Sequence, residues 1–549
     1  MPVTQRERAQ GDASRRLRLR SRGALGERRP ALAWGLPFAL VLGILLVRNA
    51  FLFTTAEYEN ADMAANSILI EQARRWSLLV GNYSREKFNH PGPAFLYVQS
   101  WGESVFYDVL HLVPTPWNGQ MIAVYLLNAF FASCVVAVGY GWGRLAGGTR
   151  AGVRVALIAG AGVALLGALH PSMFSSDWMP YVYMPAYLAF IVSIASVAAG
   201  ARRDAWIAAL SGWFLIHGHA CFLLFVPLLW GAAIIAVAWR WRRAGWAAGW
   251  AGVRSQRRTW LAIAIISALF ALPILLELAL HWPGSFGKYF SYSGSGKSGG
   301  HTLAQVKDYA AWFWWPHRGA EVAAVLAVVA LIGVWRMPAG PVRTLCRALL
   351  VFDALSTAGF ILYAAVGIDA LNEYYIGYFY WSAPVIALMV IALAVTAGGF
   401  PPAVTVALAA VAAVAACAAF AVAPQTRLDL AHIDPVTPTN SPVVDPAIPS
   451  SVAAVERAAA GRPVVFAFDH YAWPAITGML VQAERTGVTA CVADPGWEFM
   501  MTSQFICTPA QLRSGARFYV YAPGPVPKNA HVVARLVHGT VTTGNDLRG

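Results

Sequence analysis

Charge is what this 549-residue chain lacks: only 12% of its residues are Asp, Glu, Lys or Arg. A soluble globular chain carries about 25%, so too few charges are present to solvate a folded surface of this size. Lysine is scarcer still, with 5 Lys against 36 Arg, and acids number 27 in all. Cysteine is limited to six, in none of the Cys/His spacings that hold zinc. No internal repeat is visible. The nearest approach to a phosphate loop, Ser293–His301, fails because Ser291 stands where a glycine is required. These absences exclude a soluble enzyme, a coiled coil, a disordered chain and a zinc module.

What is abundant is apolar: 58% of residues are hydrophobic, with 22 Trp, 20 Tyr and 27 Phe and a mean hydropathy of +0.53. This is the composition of a polytopic α-helical membrane protein. The surplus of Arg over Lys, with abundant Ala, fits a high-GC bacterial source. The net charge of +14 is therefore read as a topology signal before it is read as affinity for nucleic acid.

Spans need about 20 mostly apolar residues. Residues 1–30 form a basic tail with nine Arg and three acids. The run 31–53 that follows is long for a signal peptide and lacks a small-x-small cleavage site, so it is expected to be a retained anchor with the tail in the cytoplasm. The run 205–239 has Arg202 and Arg203 before it and Arg240, Arg242 and Arg243 after it. Both ends favour the cytoplasm, so it is expected to be two short helices turning near Gly218. The result is about eleven transmembrane helices in residues 31–424, with a large outer loop, 54–118. Residues 425–549 supply a proline-studded linker and a C-terminal extracytoplasmic α/β domain. The segments assigned to the cytoplasm carry +19, which leaves −5 for the rest of a +14 chain. The expected location is the bacterial cytoplasmic (inner) membrane, with no nucleic-acid partner.

In the C-terminal domain, Val464–Phe468, Val488–Val492 and Phe518–Tyr521 read as strands and Trp473–Thr486 as a helix. Cys491 and Cys507 fall in this outer domain, where a disulfide is chemically permitted.

Chemistry concentrates in the first outer loop. Glu57 and Glu59 precede a helix expected from Asn60, as N-cap, to about Leu79, with Asp62 in its first turn. Asp62 either complements the helix dipole, a gain of ~0.3–1 kcal/mol, or acts as a general base on a hydroxyl acceptor. Arg85, Lys87 and His90 form a basic cluster able to hold a lipid phosphate or to meet ordinary anionic headgroups. Arg48, near the outer end of the first span, is expected to snorkel toward that interface. His217 and His219 flank the hairpin turn. Lys288, Asp177 and Tyr375 lie in further outer loops.

The order of these elements resembles the GT-C glycosyltransferases, closest to the protein mannosyltransferase and aminoarabinose transferase type. The resemblance rests on an acid after the first span, a helix, and Tyr83-Ser84-Arg85…Asn89-His90-Pro91-Gly92-Pro93. It implies an inverting transfer of a sugar from a polyprenyl-phosphate donor to a glycan, lipid or protein acceptor on the outer face. Asp62 would be the base, with Arg85, Lys87, His90, Arg48, His217, His219 and Lys288 on the lipid-phosphate side. Glu57, Glu59, Asp177 and Tyr375 are secondary candidates. The family pattern has an Asp-Glu pair where this chain has Ala61-Asp62, which leaves the choice of carboxylate open. No cofactor is required; a divalent ion at Glu57, Glu59 and Asp62 is compatible with the resemblance. The alternative function is a secondary transporter or lipid flippase of cell-envelope precursors. Transporters commonly show related halves and mid-membrane polar groups, neither of which is apparent.

The topology has a direct test. Alkaline phosphatase fused within 54–118 or at the C-terminus should be active in bacterial cells, and fused within 240–258 inactive. The reverse pattern would overturn the orientation.

Overall fold

The computed structural model describes residues 30–294, 299–397, 401–423 and 443–543. The basic tail before residue 30 and Pro435, Pro438 and Pro442 of the linker lie outside the described residues. Among the described residues, eight helices are long and apolar enough to cross a membrane.

The described residues open with the shorter apolar helix α1 (Leu32–Arg48), followed by two helices of the segment 54–118, α2 (Ala61–Arg74) and α3 (Ala94–Gly102). The long α4 (Pro116–Leu169) is two helices joined at a break, where Gly148 adopts φ 73°. Its halves close tightly because glycine lines the crossing: a Cβ on Gly143 would lie 2.3 Å from the Ala151 carbonyl oxygen. Helix α5 (Met179–Ala199) is buried throughout and forms the axis of the bundle. The run 205–239 divides into α6 (Ala205–Gly218) and α7 (Phe222–Ala244), with His219 extended at the turn. At 14 residues, α6 is about 21 Å long, short of a bilayer core. Its tip rests on the outer loop, close enough that a Cβ on Gly218 would meet Tyr183 at 2.4 Å and Phe95 at 2.8 Å.

After a short helix at Trp246–Arg254, α8 (Arg257–His281) and α9 (Gly319–Arg336) present long apolar faces such as Leu261, Leu269, Val325 and Val328 outward. A contiguous surface of that kind suits lipid, not water. Helices α10 (Pro341–Val366), α11 (Ser382–Ala397) and α12 (Pro402–Val422) complete the membrane part.

The C-terminal part opens with α13 (Ile448–Ala459) and builds a five-stranded sheet. The strands are β1 (Val464–Phe468), β2 (Ala490–Val492), β3 (Ala516–Tyr521), β4 (His531–Leu536) and β5 (Gly539–Thr543). The order is β2-β1-β3-β5-β4. β1 is parallel to both neighbours, with Val464 opposite Ala490 and Ala516, while β5 runs antiparallel to β3 and β4. Helix α14 (Trp473–Thr486) connects β1 to β2, and a disulfide joins Cys491 to Cys507.

Helix α2 belongs to both halves. Met63, Leu69 and Ile70 pack into the membrane part, while Ala64, Ala65 and Ile68 enter the core around Val464, Phe466, Ile476 and Leu480. A helix buried all round must be held on every face. It stops at Arg74, earlier than Leu79, because Trp76 turns left-handed (φ 57°) and packs on Tyr97. Asn60 stands at the N-cap with extended backbone, but its side chain caps nothing; instead its N–H donates to the Val443 carbonyl at 2.8 Å.

Charge closes the junction. Arg485 of α14 is buried with Nη1 2.9 Å from Glu59 and Nη2 3.3 Å from Glu103, and Nε lies 3.8 Å from Glu71. Burial, opposed by Arg485 and assisted by Glu71, raises the Glu103 carboxyl to about 7. Removing one partner from a buried ion cluster strands the others. Arg485→Ala is expected to destabilise the folded chain by ~3–5 kcal/mol, read as a lowered Tm in detergent, with partial rescue by Lys. Because Glu103 titrates higher folded than unfolded, its contribution is intact below pH 4.5 and is lost as pH rises through about 7. Glu103→Gln should flatten that decline; an unchanged pH profile would refute it.

Candidate active site

A cavity of about 700 Å³ opens between the C-terminal domain and the segments 62–90, 178–183 and 363–379. Asp62, Arg85, Lys87, His90, His219 and Tyr375 all line it. Asp62 sits in the first turn of α2, just after Ala61, whose φ of 50° is left-handed and strained for a residue with a Cβ. One carboxylate oxygen accepts from the Tyr83 hydroxyl and the other from Trp178 Nε1 at 2.9 Å. Two donors on two chain segments fix the direction of the carboxylate, which its own helix does not. Burial and the adjacent Asp62 charge push the Tyr83 phenol well above its ordinary range, so it stays a donor.

The segment 81–93 is a compact loop in which Gly81 N–H donates to His90 O at 2.8 Å and His90 N–H to Asn82 O at 2.9 Å. His217 locks it to the hairpin: Ala94 N–H donates to its Nδ1 at 3.3 Å, and its Nε2 lies 2.8 Å from the Phe270 carbonyl oxygen. Glycine is needed at position 92, where a Cβ would overlap the His217 ring at 2.4 Å. His217 is thus a structural pin rather than a cavity group.

The basic cluster is less basic than its sequence. Burial, and next the neighbouring His219, hold His90 well below the ordinary histidine range. Its Nδ1 accepts the Ala220 N–H at 3.3 Å, and its ring lies 4.2 Å from that of His219. His90 is therefore a neutral imidazole with Nε2–H as its donor, not a cation. Arg85 is charged but engaged: its Nη2 lies 2.7 Å from both oxygens of Asp369, and its Nη1 reaches Glu373 and, at 3.3 Å, the Tyr375 hydroxyl. Lys87 is exposed at the rim and forms no ion pair among the described residues. Lys288 braces it indirectly, donating to the Lys87 carbonyl at 3.0 Å.

Besides His217 and Lys288, four further expected residues lie off the cavity wall. Arg48 donates through Nη1 to the carbonyls of Phe420, Ala421 and Ala423 at 2.7, 3.1 and 2.8 Å, so it caps the end of α12. Glu59 is tied to Arg485, and Ser67 donates to it at 2.6 Å. Glu57 is buried off the cavity, its carbonyl accepting from Thr115 at 2.9 Å. Asp177 accepts from Trp117 Nε1 at 2.9 Å and from Gln99 at 3.4 Å, and burial raises its carboxyl to about 7. The cavity residue there is its neighbour, Trp178. Glu57, Glu59 and Asp62 accordingly do not form a donor set, and among the described residues no group of three or more His, Cys, Asp or Glu could hold a metal ion.

Sequence reasoning missed Tyr83 and Trp178 as the holders of Asp62, and Asp369 and Glu373 as the partners of Arg85. It also missed the wall supplied by the C-terminal domain through His470, Trp473, Asp494, Trp497 and Phe499. Tyr83 lies inside the quoted motif; the others have no local signal.

No family model and no curated protein matches the chain. Among solved structures it is similar to ArnT from Cupriavidus metallidurans in the apo state, with a TM-score of 0.45 at 14% identity, covering 93% of this chain and 98% of that one. ArnT from the same organism bound to undecaprenyl phosphate gives the same score and identity over 95% and 100%. The Archaeoglobus fulgidus oligosaccharyltransferase in the apo form gives 0.32 at 12% identity, over 82% of this chain and 63% of that one.

Proposed function

We propose that the protein is a membrane glycosyltransferase that moves a sugar from a polyprenyl-phosphate donor to an acceptor hydroxyl on the outer face. One observation carries the reading: a carboxylate oriented by two donors shares one cavity with Arg85 and Lys87. In the step, Asp62 takes the proton of the acceptor hydroxyl. The acceptor oxygen bonds to the anomeric carbon of the sugar from the side opposite the phosphate, which inverts that carbon. The bond from that carbon to the phosphate oxygen breaks, and its electron pair leaves with the polyprenyl phosphate.

Lys87 supplies an unengaged positive charge for that phosphate, and the His90 Nε2–H a neutral hydrogen bond. Arg85 joins when the phosphate displaces or shares its carboxylates, which places Asp369 and Glu373 in competition with the donor. Positioning and charge stabilisation then carry most of the rate. The charged groups of the cavity come from outer loops and the outer domain, which suits chemistry at one face better than carriage across the bilayer.

The test uses membranes containing the full chain and a radiolabelled undecaprenyl-phospho-hexose. Asp62→Asn keeps the shape, with its amide oxygen able to accept from Trp178 and its amide N–H able to donate to the Tyr83 oxygen, and is expected to lower transfer by ~10²–10⁴-fold with an unchanged Tm. Lys87→Ala is expected to weaken undecaprenyl phosphate binding about tenfold. Full transfer by the Asn variant would remove Asp62 from the reaction.

A further inference from the structure

The C-terminal domain presents the carboxyl ends of its parallel strands β1 and β2 to the cavity. In an open sheet, ligands bind outside the carboxyl ends of parallel strands. Here β1 and β2 are adjacent and parallel, so their carboxyl ends lie side by side. The chain leaving β1 supplies His470 and Trp473, and the chain leaving β2 supplies Asp494, Trp497 and Phe499, all on the cavity wall.

These residues form a directed surface. The Trp497 ring lies 5.1 Å from Phe468 and 5.3 Å from His470, and stacks on Phe499 at 6.1 Å and 22°. Phe499 in turn meets Tyr83 edge-on at 6.1 Å, and Tyr83 donates to Asp62. The aromatic row therefore leads from the outer domain to the proposed base. Trp497 and Phe499 are only half-buried, while His470 and Asp494 beside them are exposed. Half-covered aromatic faces flanked by a carboxylate and an imidazole need an occupant with an apolar face and a polar rim.

The loop is braced at both ends. Asp494 accepts from Gly496 N–H at 2.8 Å, and the Cys491–Cys507 disulfide closes the segment that holds Trp497 and Phe499. The strand edge beside it is already used, because Cys507 N–H donates to Val492 O at 3.0 Å and Ile506 bridges Val492. A peptide adding to that edge would find its hydrogen bonds taken.

We propose that this surface is the acceptor subsite and that its ligand is a glycan chain. A sugar ring offers C–H groups from its face to Trp497 and Phe499, and hydroxyls from its rim to Asp494 and His470. The proposal rests on the transferase reading for the word acceptor, and its test does not depend on transfer.

Full-length protein in nanodiscs is mixed with maltohexaose, cellohexaose or mannohexaose, and saturation transfer to the sugar is followed by NMR. At least one oligosaccharide is expected to bind, with affinity reduced about tenfold by Trp497→Ala and by Phe499→Ala. Trp497→Tyr should restore most of it, and the thermal shift caused by undecaprenyl phosphate should be unchanged in all variants. Binding to none of the three, affinity that neither alanine variant lowers, or preference for a Ser/Thr-containing pentapeptide would each overturn the proposal. An active Asp62→Asn enzyme that still shows the aromatic-dependent binding would instead refute the base and leave the subsite standing.

Discussion

A single buried guanidinium holds the molecule in its working shape. Arg485 reaches Glu59 before α2 and Glu103 after α3, so one side chain fastens the C-terminal domain to two points of the segment 54–118. Around it, Arg74 pairs with Asp108 at 2.8 Å and Arg75 with Glu484 at 2.7 Å. Charges out of water are tolerated only in company, which makes this junction selective: the domain docks where the carboxylates are. Because α2 lies between the two halves, the same docking sets the height and rotation of Asp62 at its first turn.

The cavity follows from that junction. Its floor is the loop 81–93, pinned by His217 and by Tyr289, whose hydroxyl donates to the Asn89 carbonyl at 2.5 Å. One side comes from the segment around Asp369 and Tyr375 and the other from the C-terminal domain. No one segment holds a complete site. The carboxylate depends on Tyr83 and Trp178 for direction, and Arg85 depends on Asp369 and Glu373 for its resting partners. Arg85 is balanced by two carboxylates, and His90 is a neutral donor.

Several residues show how sequence position and chemical role separate. Arg48 sits at the outer end of its helix, as a snorkelling residue would, yet the terminal carbonyls of α12 outcompete solvent for its donors. Asp177 is an outer-loop acid, but its neighbour Trp178 faces the cavity while the carboxylate is buried against Trp117. His90 belongs to a motif that reads as basic, and burial removes its charge. In each case a contact distant in sequence decided the outcome.

Composition and local pattern alone determined the membrane class, the apolar runs, the broken hairpin near Gly218 and the strand Val464–Phe468. Hydropathy and side-chain period act over a few residues, so the sequence carries them openly. Asp62 and the loop 81–93 were also legible, because acid, helix and turn lie in one continuous stretch. Only the tertiary structure decided which carboxylate faces the cavity, that Glu59 serves the junction, and that the C-terminal domain forms a wall. Those outcomes rest on pairings such as Arg485 with Glu59 and Asp62 with Trp178, between segments far apart in the chain. Burial and ion pairing depend on distance in space, which no local pattern encodes.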